Sequence, residues 1–269
     1  MSRDIYIYSS DTQASKQTLR KLRKKLDNLG FTLVEEPDKD TELIVIIGGD
    51  GTFLRAIHAL DFPSTPLIGI NTGHLGFFQE IMPDRLDDFI YNYTQGRYSL
   101  QPMQTVRAVI DHAGVSEEIT GLNEIIIASA DNFSHSVHFN ISIGGSFIER
   151  FSGDGLLIST PAGSTAYNYS LGGSIVDPRL KLLQATPIAP MNTTAYRSFT
   201  SSILLPPDLT MSIVPDDLPL NRDITVAYDG ISRHYDDIER VEVMLSDTTI
   251  QLMRFESYDF WTKVKSKFL

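Results

Sequence analysis

Cysteine is absent from this chain of 269 residues. Its absence excludes disulfide bonds, zinc–thiolate sites and cysteine nucleophiles, and it favours a reducing, cytoplasmic compartment. Long apolar runs are missing as well, since none reaches the roughly 18 residues that predict a membrane-spanning helix. The first residues do not have the pattern of a signal peptide. We therefore expect a cytoplasmic protein that has no membrane partner.

Positive charge is scarce. The chain has 23 Lys and Arg against 34 Asp and Glu, which gives a formal net charge of −11. This charge opposes attraction to nucleic acids and to anionic membranes, so we expect no nucleic-acid partner. A phosphorylated small molecule stays compatible with it, because backbone N–H groups, helix N-termini and a divalent cation can hold phosphate without a basic surface.

The pattern of the chain changes near residue 98, and the length suits one large or two modest domains. Residues 1–97 alternate strand-like and helix-like segments, which predicts an α/β domain with a parallel sheet. Residues 98–255 are mostly strand-like, which predicts a mainly antiparallel all-β domain, with a hairpin at Gly144-Gly145. The segment of about 256–269 is expected to be a helix that returns to the first domain.

The apolar periodicity places the elements. In the first domain it predicts an amphipathic helix over 15–29, with Leu19, Leu22, Leu26 and Leu29 on one stripe and Gly30 as its stop. The other predicted elements of that domain are strands at 5–8, 31–34, 43–47 and 67–70, and helices at 52–60 and 83–95. In the second domain the predicted strands are 106–110, 124–128, 137–143, 156–159, 202–205, 211–214, 224–228 and 241–245, and the tail at 258–268 is predicted to be helical.

The most informative motif is Gly48-Gly49-Asp50-Gly51-Thr52, directly after the apolar run 43–47. Three glycines allow a sharp turn and a close approach to a ligand, and ligands of open α/β sheets bind at the carboxyl ends of the strands. Asp50 is therefore predicted to face a substrate hydroxyl, and the helix that starts near Thr52 to face a phosphate. The alternative is a structural turn in which Asp50 caps that helix. Neither a P-loop nor a dinucleotide-binding fingerprint is present.

A second stretch, 154–173, is rich in small polar residues. Ser164, Thr165 and Ser170 supply hydroxyl donors, and Tyr167 offers a flat face for an adenine ring. If Thr165 opens a short helix, its backbone N–H groups point at an anion. The alternative is an ordinary strand and loop, which explains the glycines and little else.

These motifs resemble a known family. The glycine–aspartate motif is similar to the signature shared by NAD kinases, diacylglycerol and sphingosine kinases and 6-phosphofructokinases. The stretch 154–167 resembles the NAD kinases far more than the lipid kinases, with Ala162 where that family has a second threonine. From about Leu43 to Gly230 the further similar segments, in order, are Asn71 to Phe77, Leu122-Asn123-Glu124, Ala189-Pro190 with Tyr196-Arg197-Ser198, and Tyr228-Asp229-Gly230.

The resemblance implies transfer of a phosphoryl group from ATP, polyphosphate or another donor to the 2′-hydroxyl of the adenosine ribose of NAD+, which gives NADP+. It implies Mg2+ or another divalent cation that accompanies the donor, with no protein ligand assigned, and a homodimer or homotetramer. Asp50 is the implied proton acceptor. The implied nucleotide-binding residues are Gly49, Gly51, Arg55, Phe78, Asn123, Glu124, Asp154, Thr165, Ala166, Tyr167, Asn168, Ser170 and Ala189.

Several of these residues also have a structural explanation. Asn123-Glu124 suits the polar start of a strand, Asp154 a turn, Arg55 a surface cation, and Asp229-Gly230 a hairpin turn. His74 suits a structural polar role better than a catalytic one. Two functions compete with NAD phosphorylation: a lipid or sphingoid-base kinase with an apolar acceptor cavity, and an NAD(H)-binding module without activity.

Overall fold

The computed structural model describes residues 3–73, 76–130, 136–192, 197–216 and 223–268. The chain divides into two compact units. One comprises Met1–Met103 and Thr249–Leu269, and the other comprises Gln104–Thr248. Each unit is described by itself below.

The first unit contains a parallel sheet. Its strands are β1 (Asp4–Ser9), β2 (Thr32–Val34), β3 (Thr41–Gly48), β4 (Leu67–Asn71) and β5 (Gln79–Ile81). Their order is β2-β1-β3-β4, β5 pairs with β4, and all these pairings are parallel. Strand β3 is buried along nearly its whole length, as its continuous apolar run predicts. The predicted parallel sheet is confirmed, whereas β5, which has only three residues, was not predicted.

Helices α1 (Gln13–Asp27), α2 (Asp50–Ala59) and α3 (Leu86–Thr94) accompany this sheet. Helix α1 starts earlier than predicted, because the Thr12 hydroxyl accepts a hydrogen bond from the Ser15 N–H and caps it. It also ends earlier, so Leu29 lies beyond the helix and is exposed, and the prediction that Leu29 belongs to the apolar stripe of this helix was wrong. Helix α3 is shorter than the predicted 83–95.

The second unit is mainly antiparallel β structure. Its elements are β6 (Ser99–His112), β7 (Val115–Gly121), β8 (Glu124–Ser129), β9 (Val137–Ile143), β10 (Ser146–Gly153), β11 (Gly155–Ser159), a 3₁₀ turn (Gly163–Thr165), α4 (Tyr167–Ser170), β12 (Leu183–Ile188), β13 (Ile203–Leu205), β14 (Met211–Pro215), β15 (Ile224–Tyr228), β16 (Ile231–Tyr235) and β17 (Ile238–Arg254). One sheet has the order β13-β12-β11-β8-β15-β16. Another set has the order β10-β9-β14-β17, and β6 pairs with β17 and β7. Buried side chains from both sets form one core.

The antiparallel arrangement confirms the predicted fold class. The hairpin between β9 and β10 turns at Gly144 and Gly145, whose φ angles are 56° and 80°, and Ile143 pairs with Ser146 across it. Strands β7, β10, β12 and β16 were not predicted. Half of the residues of β10 and four of the five residues of β16 are exposed, neither strand has apolar alternation, and Pro187 in β12 argues against a strand.

The two unit boundaries fall within long strands. Strand β6 begins two residues after the predicted boundary at 97, and β17 ends just before the predicted boundary at 256. The end of β17 pairs in parallel with β4, Leu252 with Leu67. The chain then forms helix α5 (Phe260–Phe268), which belongs to the first unit and buries Phe260 and Val264. In the described residues no helix is both long enough and apolar enough to cross a membrane.

Candidate active site

The carboxyl ends of β3 and β4 lie side by side in the first unit. Gly48 pairs with Asn71, and the Thr72 N–H donates to the Gly48 carbonyl at 3.3 Å. Asn71 is buried, and its side-chain oxygen accepts from the Gly73 N–H at 3.0 Å. This is the edge at which parallel α/β sheets bind ligands. His74, for which a structural polar role was predicted, lies outside the described residues.

Asp50 is fixed at this edge by backbone hydrogen bonds. Its Oδ2 accepts from the Phe77 N–H at 3.0 Å, and its Oδ1 accepts from the Phe78 N–H at 3.1 Å. The Lys267 Nζ lies 3.8 Å from Oδ2, and the side chain of Asp50 is 28% exposed. The carboxylate is therefore held on two sides and still reaches solvent.

The alternative in which Asp50 caps the helix is wrong. Helix α2 begins at Asp50 itself, two residues earlier than predicted, and its N-cap residue is Gly49, which makes no side-chain cap. The carboxylate of Asp50 accepts from the Phe77 and Phe78 N–H groups instead.

The glycines of the motif have different roles. A Cβ at Gly48 would lie 2.4 Å from the Thr52 hydroxyl oxygen, so this position needs the smallest residue. A Cβ at Gly49 would meet nothing within 4 Å, and one at Gly51 only Arg55, at 3.7 Å. None of the three glycines has a positive φ, yet the chain passes from β3, which ends at Gly48, to α2, which begins at Asp50, across Gly49 alone, so the expected sharp turn is present. The open space beside Gly49 and Gly51, rather than a backbone conformation reserved for glycine, is the feature that a ligand can use.

Arg55 and Phe78 differ in accessibility. Arg55 is exposed, and its guanidinium donates to the Thr52 hydroxyl at 3.2 Å. The Phe78 ring is buried and stacks on Phe53, with ring centroids 4.8 Å apart. The expectation that Phe78 binds a nucleotide stays a prediction, and in the structure its backbone N–H donates to Asp50 at the candidate site.

The second unit contains a separate polar site at the start of β8. Asp229 accepts from the Leu122 N–H at 2.6 Å and from the Asn123 N–H at 2.7 Å, and all three groups are buried. Asp229 and Gly230 also form the hairpin turn between β15 and β16, with φ angles of 48° and 84°. Asp229 therefore has both the turn role and a role in holding Asn123.

Asn123 and Glu124 present acceptors that the protein does not use. Both residues are 7% exposed, and Oδ1 of Asn123 and Oε2 of Glu124 have no hydrogen-bond partner among the described residues. Burial, together with the nearby charge of Asp229, raises the pKa of Glu124 to about 8. Unpartnered buried acceptors are uncommon in folded proteins, so this pair has the chemistry of a site for hydroxyl donors.

The stretch that follows β11 packs against the same pair. The Thr160 N–H donates to the Asn123 carbonyl at 2.9 Å, and the Thr160 hydroxyl donates to the Leu122 carbonyl at 2.6 Å. A Cβ at Gly163 would lie 2.0 Å from the Asn123 carbonyl oxygen, so only glycine fits there. The fold thus brings the two sequence motifs of this unit together.

Some polar side chains of this stretch are occupied within the protein. Ser164 is fully buried, and its hydroxyl donates to the Pro161 carbonyl at 2.7 Å, so its expected role as a ligand donor is corrected. Asn168 is fully buried as well; its amide donates to the Ser164 and Ser174 carbonyls and accepts from the Thr186 hydroxyl. The side chain of Asn168 supports the loop.

The remaining predicted residues of this stretch differ in accessibility, and Thr165 is buried, with 9% exposure. Thr165 ends the 3₁₀ turn, and α4 has only four residues with Ala166 as its N-cap, so the expectation that Thr165 opens a helix was wrong. Tyr167 and Ser170 are exposed. Ala166 is half-buried.

Asp154 and Ala189 lie near each other along paired strands. Asp154 is half-buried, its N–H donates to the Ile188 carbonyl at 2.9 Å, and its carboxylate has no partner among the described residues. Ala189 is exposed and has a φ of 43°, which is unusual for alanine. Ser198 holds β10 through the backbone of Ser152, at 2.9 and 3.0 Å, whereas Tyr196 lies outside the described residues.

Several residues around Asp50 were not predicted. Lys263 and Lys267 lie four residues apart on α5 and so share a helix face. Gln79 is buried, and its amide atoms have no partner among the described residues. The sequence did contain a signal for these lysines, since they share a helix face with the apolar Phe260 and Val264. Lysine is rarely placed towards a core, so its presence on such a face indicates a specific role. Across the described ranges no group of three or more His, Asp or Glu side chains suits a metal ion.

The chain is similar to known kinases over its whole length. Residues 5–98 match the family described as ATP-NAD kinase N-terminal domain, and residues 122–255 match the family described as ATP-NAD kinase C-terminal domain. The NAD kinase of Finegoldia magna is 36% identical over 271 residues, which covers 100% of this chain and 98% of that protein. NAD kinase 1 of Halalkalibacterium halodurans is 33% identical, over 98% of this chain and 97% of that protein.

Two solved structures share the fold. Yeast NADH kinase in complex with NADH has a TM-score of 0.84 at 20% identity, over 99% of this chain and 87% of that one. An NAD kinase from Archaeoglobus fulgidus in complex with ATP has a TM-score of 0.76 at 21% identity, over 99% of both chains. With both domain matches and a relative 36% identical over its full length, this chain belongs to the ATP-NAD kinase family.

Proposed function

We propose that this chain is an NAD kinase that phosphorylates the 2′-hydroxyl of the adenosine ribose of NAD+ and so produces NADP+. The donor is ATP or another compound with a transferable phosphoryl group, such as polyphosphate. The observation that carries the proposal is the Asp50 carboxylate, fixed by two backbone N–H groups at the carboxyl edge of the parallel sheet, inside the segment that matches the N-terminal kinase domain.

Asp50 has the chemistry that this reaction asks of a protein. Phosphoryl transfer needs positioning and charge stabilisation more than covalent participation. Each Asp50 oxygen accepts one backbone N–H and keeps acceptor capacity for a substrate hydroxyl. Asp50 then orients the hydroxyl and accepts its proton. Because a carboxylate is a weak base, this proton transfer comes late in the reaction.

The second unit supplies the nucleotide-binding residues of the proposal. The free acceptors of Asn123 and Glu124 bind sugar hydroxyls, which is the usual role of a carboxylate towards ribose. The exposed ring of Tyr167 stacks on the adenine, and Asp154, Thr165, Ala166, Ser170 and Ala189 form the rest of the nucleotide surface. Asn168 contributes by shaping the loop.

The phosphate groups interact with the glycine-rich end of β3. Gly49 and Gly51 leave space beside the backbone at the start of α2, where N–H groups favour anions, and the exposed Arg55 lies one turn further on. Mg2+ or Mn2+ bound to the donor would neutralise phosphate charge, and the isolated carboxylate at this edge suits a cation held mainly by phosphate and water. We also propose a cytoplasmic homodimer or homotetramer.

A direct assay tests the function. Purified protein is incubated with NAD+, Mg2+ and either ATP or polyphosphate, and NADP+ is quantified by a coupled NADP+-specific dehydrogenase. NADP+ is expected with at least one donor. A second reaction offers diacylglycerol vesicles in place of NAD+, and no phosphorylated lipid is expected.

Asp50→Asn tests the assigned role in the same assay. It should lower kcat by about 10²- to 10⁴-fold, because the acceptor of the proton is lost. NAD+ binding, measured by isothermal titration calorimetry, should stay close to that of the unchanged protein. Asp61→Asn, an exposed aspartate just after α2, is the matched control and should have full activity. If the unchanged protein bound NAD+ tightly but formed no NADP+, it would instead be a non-catalytic binding module.

A further inference from the structure

The short segment 77–79 lies between a carboxylate and two cations. On its N–H side, Phe77 and Phe78 donate to Asp50. On its carbonyl side, Lys263 Nζ donates to the Gln79 carbonyl at 2.5 Å and to the Phe77 carbonyl at 3.4 Å. The peptide between Phe77 and Phe78 therefore has its carbonyl towards a positive charge and its N–H towards Asp50.

Arg254 contacts the same segment, but its charge is already balanced. Its guanidinium lies 3.1 Å from Glu80 in a buried ion pair and donates to Gln101 at 2.9 Å. It reaches the Phe77 carbonyl at 3.4 Å, the same distance as the Lys263 Nζ. Lys263, in contrast, has no carboxylate within ion-pair distance among the described residues, so its hydrogen bonds go to backbone carbonyls. A cation that donates its hydrogen bonds to the carbonyls of one segment orients the peptide units to which those carbonyls belong.

We infer that Lys263 is a positioning residue for the phosphoryl transfer, because its ammonium contacts the carbonyl of the peptide unit that presents the Phe78 N–H group to Asp50 and so orients that unit. The inference deepens the proposed function and rests on the role of Asp50 in it. Nothing in the glycine–aspartate motif itself indicates this residue, since Lys263 lies more than two hundred positions further along the chain.

The surroundings of Lys263 make its charge sensitive to pH. Burial is the main cause that lowers the pKa of Lys263 to about 8, and the positive charge of Arg254 adds to it. The charged and titratable groups that face Lys263 are Arg254, Glu80, Asp50 and Lys267, with the ring of Tyr258 at 5.2 Å. The ammonium is present below this pKa and is lost as the pH rises through it.

The consequence for turnover has a definite sign. Below pH 8 the ammonium holds the segment, and Asp50 keeps its two N–H donors in place. Above pH 8 a neutral amine attracts the carbonyls less, and the orientation of Asp50 loosens. A displacement of about 1 Å at a reacting group costs up to about 100-fold in rate. We therefore expect kcat at saturating substrate to fall severalfold between pH 8 and pH 9.

Three variants test the inference. Lys263→Met keeps the length of the side chain and removes the charge, and should lower kcat about 10- to 100-fold at pH 7 while leaving the dissociation constant of NAD+ near that of the unchanged protein. Lys263→Arg keeps a charge that does not titrate in this range, so it should restore much of kcat and move the alkaline limb to higher pH. Lys265→Met removes an exposed lysine from the same helix and should change neither quantity.

The readouts separate positioning from packing. A role in packing alone would lower the unfolding temperature of Lys263→Met without giving Lys263→Arg a different pH profile from the unchanged protein. If Lys263→Met does not fold, the profiles of the unchanged protein and of Lys263→Arg decide. An unchanged kcat in Lys263→Met, or alkaline limbs that coincide in those two proteins, overturns the inference. The proposed function fails separately, if Asp50→Asn keeps full turnover.

Discussion

Replacing Asp229 by asparagine should destabilise the second unit and change how its site titrates. Asp229 holds two buried N–H groups, those of Leu122 and Asn123, at 2.6 and 2.7 Å, from a turn with a φ of 48°. Asparagine tolerates this left-handed backbone, so the turn itself stays unstrained. It keeps only one acceptor oxygen, however, and points an N–H₂ group at the other buried N–H.

The expected magnitude follows from these two hydrogen bonds. A hydrogen bond to a charged group is worth about 1.5–3 kcal/mol, and a buried donor left without a partner costs about 1–3 kcal/mol. Asp229→Asn loses one bond, weakens the other and leaves one donor unpaired. The free energy of unfolding should therefore fall by about 2–4 kcal/mol. For a domain of this size the thermal midpoint should fall by about 5–15 °C.

The substitution also removes a negative charge beside Glu124. That charge is the smaller of the two causes that raise the pKa of Glu124, so the pKa should decrease but stay above the ordinary value, because burial remains. The pH at which NAD+ binding changes should decrease with it.

Chemical denaturation and calorimetry check both effects. The control is Asp237→Asn, an exposed aspartate that also has a positive φ, of 55°, in the next hairpin. Any effect of placing asparagine in such a turn is common to both variants. If the unfolding free energies of the two variants agree within about 0.5 kcal/mol, and NAD+ binding titrates at the same pH in both, Asp229 does not hold this site.

Further predictions concern the same two regions. Sugar hydroxyls bind the ionised carboxylate, and the pKa of Glu124 is about 8, so the NAD+ dissociation constant from calorimetry should decrease about tenfold from pH 7 to pH 9. Glu124→Gln should bind NAD+ more weakly and lose this pH dependence. A dissociation constant that still changes with pH in that variant would contradict the assignment. Gly48→Ala should unfold several degrees lower than Gly49→Ala, because only the first Cβ meets a neighbour, at 2.4 Å; equal melting temperatures would show that the steric reasoning is wrong. Gly163→Ala should weaken NAD+ binding together with stability, because its Cβ would lie 2.0 Å from the Asn123 carbonyl and must displace it; an unchanged dissociation constant would separate this loop from the site.

The sheet around Asp50 could be predicted because its signals are local. A continuous apolar run predicts a buried strand, and strand-like segments that alternate with helix-like segments predict parallel pairing. The motif at the end of β3 then lies at the edge of the sheet where ligands bind. The partners of Asp50 could not be predicted this way. Phe77 and Phe78 donate through their backbone, and a backbone N–H leaves no mark on the amino-acid sequence.

The sequence also could not show why each glycine is required at its position. Turn formation and close packing both select glycine, and the two differ only in φ and in the distance to a neighbour. Gly76 illustrates this, since a Cβ there would lie 2.3 Å from Asp50 Oδ1, and its φ is not positive. Gly144 and Gly145, flanked by two apolar runs, carried a local hairpin signal, and that prediction is confirmed.

The two carboxylates illustrate different ways of preparing a group for a ligand. Asp50 has a hydrogen bond on each oxygen, so its orientation is set before a substrate arrives, and a change there should appear in kcat. Glu124 has an oxygen without a partner in a buried place, which costs folding free energy while that carboxylate is ionised. A hydroxyl donor would remove part of that cost when it binds, so a change at Glu124 should appear in the dissociation constant and in its pH dependence. A buried glutamate that was only structural would have its partners within the protein, as Glu80 has in Arg254 and the Phe255 N–H.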